Sequence, residues 1–173
     1  MDSRPAQFEA LVRAHASGLY RYSAWLGNNK EDAEDLVQET FMRAWKALDS
    51  LRDARAARGW LMTILRREHA RRFERPRAED RRLDDLDPQR LESSTDADRV
   101  DVLTLRQGIA ALSTDYREPL LLQVLGGYSC EEIGVMLGVK PGAVMTRLSR
   151  ARQKLRKRLG SAGGVAWKAE GSR

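Results

Sequence analysis

Between Pro76 and Asp98 the apolar periodicity that runs through the rest of this chain stops, and that gap decides how many cores the chain can build. The stretch PRAEDRRLDDLDPQRLESSTDAD holds two prolines and the acids Glu79, Asp80, Asp84, Asp85, Asp87, Glu92, Asp96 and Asp98. Too little apolar material remains there to offset the entropy of ordering a chain, so the stretch reads as a linker. On both sides of it apolar residues recur at steps of three and four, with no strand-like alternation. The expected class is all-α: two small helical domains at residues 1–75 and 101–160, an acidic flexible linker at 76–100, and a flexible tail at 161–173. Helices are expected at about 6–26, 30–48, 56–75, 99–111, 115–126, 129–137 and 141–159.

The second domain has a sharper signature. Ser129 followed by Glu132 has the spacing of a capping box, so a short helix starts there and carries Ile133, Met136 and Leu137 inward. Gly138 suits a left-handed helix stop, and Pro141 has the fixed φ of a first helical turn. From Gly138 to Arg158 the chain has eight basic residues and no acid, while Val144, Leu148, Ala151, Leu155 and Leu159 return at helical spacing. One face is therefore buried and the other strongly positive. A solvated basic helix would show the same charge. Two short helices across a tight turn are in addition the layout of a helix-turn-helix, whose second helix enters the major groove.

The whole chain, with net charge +6 and a pI near 9.8, favours an acidic partner such as nucleic acid. The single Cys130 excludes an internal disulfide, and His15 and His69 lack metal-ligand spacing, so neither a metal nor a cofactor is expected. The start MDSRPAQFEA lacks the pattern of a signal peptide, and PLLLQVLGGY is too short to span a bilayer. A cytoplasmic protein without membrane insertion is expected.

In the first domain, Ala33, Leu36, Val37, Phe41, Ala44, Trp45 and Leu48 form a wide core stripe, and Gln38, Glu39, Met42, Arg43 and Lys46 lie off it. The following segment, RAARGWLMTILRREHARRFERPR, buries Leu61, Ile64 and Leu65 and offers Arg58, Arg66, Arg67, Arg71, Arg72 and Arg75 as a second basic surface.

Three segments together resemble the sigma factors of bacterial RNA polymerase, in particular their small extracytoplasmic-function (ECF) group. DAEDLVQETFMRAW is similar to the core-polymerase-binding helix, RGWLMTILRREHARR to the promoter-melting and minus 10 region, and LSTDYREPLLLQVLGGYSCEEIGVMLGVKPGAVMTRLSRARQKLR to the minus 35 reading domain. The resemblance implies a transcription initiation factor that is not an enzyme, with core RNA polymerase, promoter DNA and an anti-sigma factor as partners, and a monomer when free. It also implies the site residues. Asp35, Leu36, Gln38, Glu39 and Met42 would meet core polymerase. Ser50, Arg52 and Asp53, in a loop that holds a flipped base, would meet minus 10 DNA together with Arg58, Arg66, Arg67 and Arg71. Lys140, Met145, Thr146, Arg147, Ser149, Arg150, Arg152 and Lys154 would meet minus 35 DNA. Within that set the outward Met145, Thr146, Ser149 and Arg150 face bases, while Arg147, Arg152 and Lys154 suit phosphates.

Two other classes fit parts of the sequence. A one-component helix-turn-helix regulator would act without polymerase as a dimer on a palindrome, but no ligand pocket or heptad seam is legible in the first half. An enzyme with magnesium on Glu31, Asp32, Glu34, Asp35 and Glu39 would need inward carboxylates from facing helices, where this chain offers mainly arginine.

Overall fold

The computed structural model describes residues 3–26, 29–74 and 96–161. Among them are seven α-helices: α1 (Arg4–Trp25), α2 (Lys30–Lys46), α3 (Ala57–Glu74), α4 (Asp96–Ala110), α5 (Thr114–Val124), α6 (Cys130–Leu137) and α7 (Pro141–Ser161). Two short 3-10 turns, Leu48–Ser50 and Ala54–Ala56, connect α2 to α3, and no strand occurs among the described residues. The all-α expectation holds. Most of the linker and the tail, with Arg75 and Trp167, fall outside the described residues. Where the linker was expected to run to residue 100, α4 already starts at Asp96.

The described residues form two compact units, α1 to α3 and α4 to α7. In the first, α2 packs against both α1 and α3. Its helix starts have side-chain caps: the Ser3 hydroxyl accepts from Ala6 N, and the Asn29 side chain accepts from Asp32 N at 2.7 Å. Leu19, Tyr22, Leu26, Ala33, Leu36, Ala44, Leu61, Met62 and Leu65 make up most of its buried apolar interior. Thr40 is buried among them and donates its hydroxyl hydrogen to the Leu36 carbonyl at 2.7 Å, which satisfies it inside its own helix.

Several core expectations in this unit are corrected, Val37 and Phe41 among them, which are half-buried rather than buried. Trp45 lies at the edge of the interior rather than in it, 38% exposed, because α1 covers only part of its ring. Ile64 is half-buried, whereas Met62, which the periodicity did not single out, is buried.

In the second unit α4, α5 and α6 all pack against α7, around Ile109, Leu112, Leu120, Leu121, Leu122, Tyr128, Ile133, Val144, Leu148, Ala151 and Leu155. The capping box at the start of α6 is complete: Glu132 N donates to the Ser129 hydroxyl at 3.2 Å and Ser129 N to Glu132 Oε2 at 2.8 Å. The end of α6 is a Schellman stop. Gly138 has φ of 67°, Val139 N donates to the Gly134 carbonyl at 2.9 Å, and Gly138 N to the Val135 carbonyl at 3.4 Å. Pro141 then opens α7, with the Lys140 carbonyl accepting from Ala143 N and Val144 N.

Candidate functional site

Helix α7 separates its residues as the periodicity requires. Val144, Leu148, Ala151 and Leu155 are buried, and Met145, Thr146, Ser149 and Arg150 are exposed along the opposite face, with Lys140 exposed just before the first turn. The Thr146 hydroxyl donates to the Gly142 carbonyl at 3.1 Å, so its hydrogen is engaged and its oxygen remains an acceptor.

The three cations assigned to phosphates are each steadied by α5. Arg147 Nη1 lies 3.5 Å from Asp115 Oδ1, Arg152 hydrogen-bonds Gln123 Oε1, and the Lys154 ammonium sits 5.4 Å from the Tyr116 ring centroid. Arg147 is therefore half-buried beside an acid, which reduces the charge it can offer a polyanion, while Arg152 and Lys154 keep theirs. Ahead of the turn, Glu131 has its carboxyl held below the usual glutamate range by hydrogen bonds from its own backbone N–H and from the Ser129 hydroxyl.

On α2, Asp35, Gln38, Glu39 and Met42 follow one another at i, i+3, i+4 and i+7 and form one outward face. Asp35 and Gln38 are exposed, Met42 is 50% exposed, and Glu39 is half-buried. Leu36 is different. It is fully buried between the helices, so the expectation that it meets a partner directly is corrected: its place in the interior leaves no surface to offer.

Glu39 Oε1 lies 3.0 Å from Arg43 Nε, and Glu68 Oε1 of α3 approaches the same nitrogen at 2.6 Å, as an ion pair rather than a well-directed hydrogen bond. Glu68 also lies 3.6 Å from Arg71 Nη1 and is itself buried. This acid, surrounded in sequence by arginines, carried no signal of its role; only its neighbours across α2 and α3 reveal that its single charge is shared between Arg43 and Arg71.

Between α2 and α3, Ser50 ends the first 3-10 turn and donates its hydroxyl hydrogen to the Ala47 carbonyl at 2.7 Å. Arg52 is exposed, and Asp53 caps the second turn by accepting from Arg55 N at 2.9 Å. Arg58 and Arg67 are exposed, Arg71 is exposed beside Glu68, and Arg66 is half-buried. Arg72 is turned to α2, where it donates to the Asp32 carbonyl at 3.3 Å. His15 is held below its ordinary 6.5, chiefly by burial and further by the nearby Arg58 guanidinium, so its neutral form is favoured. His69 is half-buried.

No group of His, Cys, Asp and Glu suited to a metal ion occurs among the described residues, and no described helix is long and apolar enough to cross a membrane.

Comparison with known proteins joins these surfaces. Residues 11–79 match the family described as Sigma-70 region 2, and residues 103–155 that described as Sigma-70, region 4. The chain is 35% identical over 161 residues to the ECF RNA polymerase sigma factor SigE of Mycolicibacterium smegmatis, covering 86% of this chain and 60% of that one. It is 34% identical over 157 residues to the ECF RNA polymerase sigma factor SigL of Mycobacterium tuberculosis, covering 87% of this chain and 88% of the relative. Among solved structures, the sigma factor RpoE in complex with the anti-sigma factor NepR from Bartonella quintana superposes with a TM-score of 0.75 at 27% identity, over 89% of this chain and 97% of that chain.

Proposed function

Because this chain belongs to the sigma-70 family of RNA polymerase sigma factors, in its ECF group, we propose that it binds core RNA polymerase and directs it to promoters by reading minus 10 and minus 35 elements. The supporting observation is the presence in one chain of both sigma-70 regions, which a one-component helix-turn-helix regulator has no reason to carry. Each unit has a surface for its part. The α2 face of Asp35, Gln38, Glu39 and Met42 takes polymerase, the 48–58 segment and the α3 arginines take the minus 10 strand, and α7 takes the minus 35 duplex.

Its action is recognition and not catalysis, in line with a family of initiation factors that are not enzymes. An anti-sigma factor would control it by covering these surfaces, as the complex formed by the similar RpoE suggests. It works in the cytoplasm, where polymerase and promoters are, and is a monomer when free. The test is transcription of genomic DNA by core polymerase with and without this protein, followed by sequencing of the RNAs. The expected result is a new set of start sites sharing two spaced upstream elements; start sites identical to those of core alone would overturn the assignment.

Within this function, Arg150 is the one of the four base-facing residues Met145, Thr146, Ser149 and Arg150 that is able to make a bidentate contact with guanine. Arg150→Ala is expected to relax preference at one or two base pairs, losing about 1 to 3 kcal/mol of discrimination. Lys154→Ala should instead weaken all sequences alike and shallow the salt dependence by about one phosphate contact. Holoenzyme selection on a randomised minus 35 library at several salt concentrations separates the two. An unchanged preferred sequence with Arg150→Ala would mean that α7 sits on DNA in another register.

A further inference from the structure

We propose that Arg4, the first residue of α1, is a positioning residue for minus 10 recognition: it fixes the 48–53 segment so that the segment is ready to take a flipped base, a role that rests on the function proposed above. One guanidinium makes three contacts. Arg4 Nη2 donates to the Trp45 carbonyl at 2.9 Å, Arg4 Nη1 lies 3.4 Å from Asp49 Oδ2, and the Arg4 guanidinium carbon sits 5.1 Å from the Trp45 ring centroid.

The Trp45 carbonyl is in the last turn of α2, where carbonyls lack helical partners and the dipole is negative, so a cation is suited to it on two counts. With Asp49 81% exposed, the ion pair by itself contributes little in water. The three contacts acting on consecutive parts of the chain are what tie the end of α2 to the turn that follows.

The rest of the α1 surface continues the tie. Phe8, one turn on, meets Phe41 and Trp45 edge to face at 6.1 and 5.1 Å. Leu11, one further turn along, is buried with Leu48 and Ala57, and Phe8 and Leu51 pack against that cluster. Arg4, Phe8 and Leu11 stand at i, i+4 and i+7 on one stripe of α1, and the stripe holds both stems of the connection, Leu48 with Leu51 at its entry and Ala57 at its exit. Between the stems every residue from Arg52 to Ala56 is exposed.

A segment clamped at both stems and open at its tip meets its ligand with the ordering cost already met, and flipping a base itself costs a few kcal/mol of stacking. The clamp residues Arg4 and Phe8 precede residue 11, where the region 2 match starts, and so lie outside the matched segment.

The experiment uses holoenzyme made with Arg4→Ala, Arg4→Lys, Asp49→Ala and the double variant, each checked for helicity by circular dichroism. It measures affinity for core polymerase, and binding of single-stranded minus 10 oligonucleotides with the preferred or a substituted base at the flipped position. Arg4→Ala should leave core affinity within about twofold and reduce discrimination between the two oligonucleotides roughly fivefold, the scale of one exposed cation–π contact. Arg4→Lys should recover part of this, since an ammonium keeps the attraction to Asp49 without the planar fork. Arg4→Ala and Asp49→Ala should be less than additive.

Unchanged discrimination with Arg4→Ala overturns the proposal, as does an equal loss of core affinity and of binding to every oligonucleotide. Arg52→Ala and Asp53→Ala at the tip tell that failure apart from a failure of the functional assignment. If they alter discrimination and Arg4→Ala does not, the positioning role alone falls; if none of them alters it, the segment does not hold the base and both fall.

Discussion

Replacing Glu39 by arginine is expected to weaken binding to core RNA polymerase by about a hundredfold or more, since bringing like charges together at an interface costs several kcal/mol. The resemblance to sigma factors implies an arginine of the polymerase as the partner of Glu39, and the structure contains a reason why Glu39 can be given up to it. In the free protein Glu39 lies 3.0 Å from Arg43, but Arg43 has a second acid, the buried Glu68, at 2.6 Å. An approaching cation can therefore take Glu39 while Arg43 keeps an acid beside it, the single charge of Glu68 that it shares with Arg71. With arginine at position 39 the approach is repulsive, and the side chain also stands one helical turn from Arg43. That second effect is small, about 0.2 to 0.5 kcal/mol for like charges at i, i+4, so the variant stays folded. Glu39→Gln removes attraction without adding repulsion and should cost about tenfold or less. Titration of labelled protein with core polymerase, with circular dichroism as the folding control, separates these cases. Wild-type affinity in a helical Glu39→Arg variant would remove α2 from the polymerase interface.

The arrangement around Glu39 marks where the sequence is legible and where it is not. The helices and the two faces of α7 follow from local spacing: Val144, Leu148, Ala151 and Leu155 are buried because a single helix packed on α4, α5 and α6 must bury one stripe. The capping box at Ser129 and the stop at Gly138 are equally local. Pairings between helices are not. Arg147, Arg152 and Lys154 read alike as basic residues, yet Asp115, Gln123 and Tyr116 of α5 give each a different environment, set by packing between elements distant in sequence. Leu36 illustrates a conflict between two signals. Its motif resemblance points to a partner, its periodicity to the core, and packing between α1 and α3 decides for the core. Trp45 reads as the next member of the same stripe, but it lies at the rim of the interior, where Arg4 and Phe8 of α1 cover part of its ring.

Gly134→Ala is expected to destabilise the second unit by about 2 kcal/mol, even though alanine in a helix is intrinsically better than glycine by about 1 kcal/mol. A Cβ at Gly134 would stand 2.7 Å from the Val139 carbonyl oxygen and 3.5 Å from Pro141 N, so α6 runs directly against the backbone that leads into α7. The obstacle is main chain and not a side-chain tip, and it cannot swing aside. Val139 is held to the same residue from the other direction, its N–H donating to the Gly134 carbonyl at 2.9 Å. Relief would therefore require moving the turn, lengthening that hydrogen bond and shifting the start of α7 relative to α6. Gly142→Ala is the matched control in the same unit: it lies in the first turn of α7 with nothing within 4 Å of a built Cβ, and should be neutral or slightly stabilising. Urea unfolding followed by circular dichroism should show a lower midpoint for Gly134→Ala at an unchanged slope, and no such fall for Gly142→Ala. Because the turn sets where Met145, Thr146, Ser149 and Arg150 point, Gly134→Ala should also lose selectivity on a minus 35 library at temperatures where it remains folded. A variant as stable and as selective as wild type would mean that the contact between α6 and the 139–141 backbone is loose enough to admit a methyl group, and that the angle between the two helices is set elsewhere.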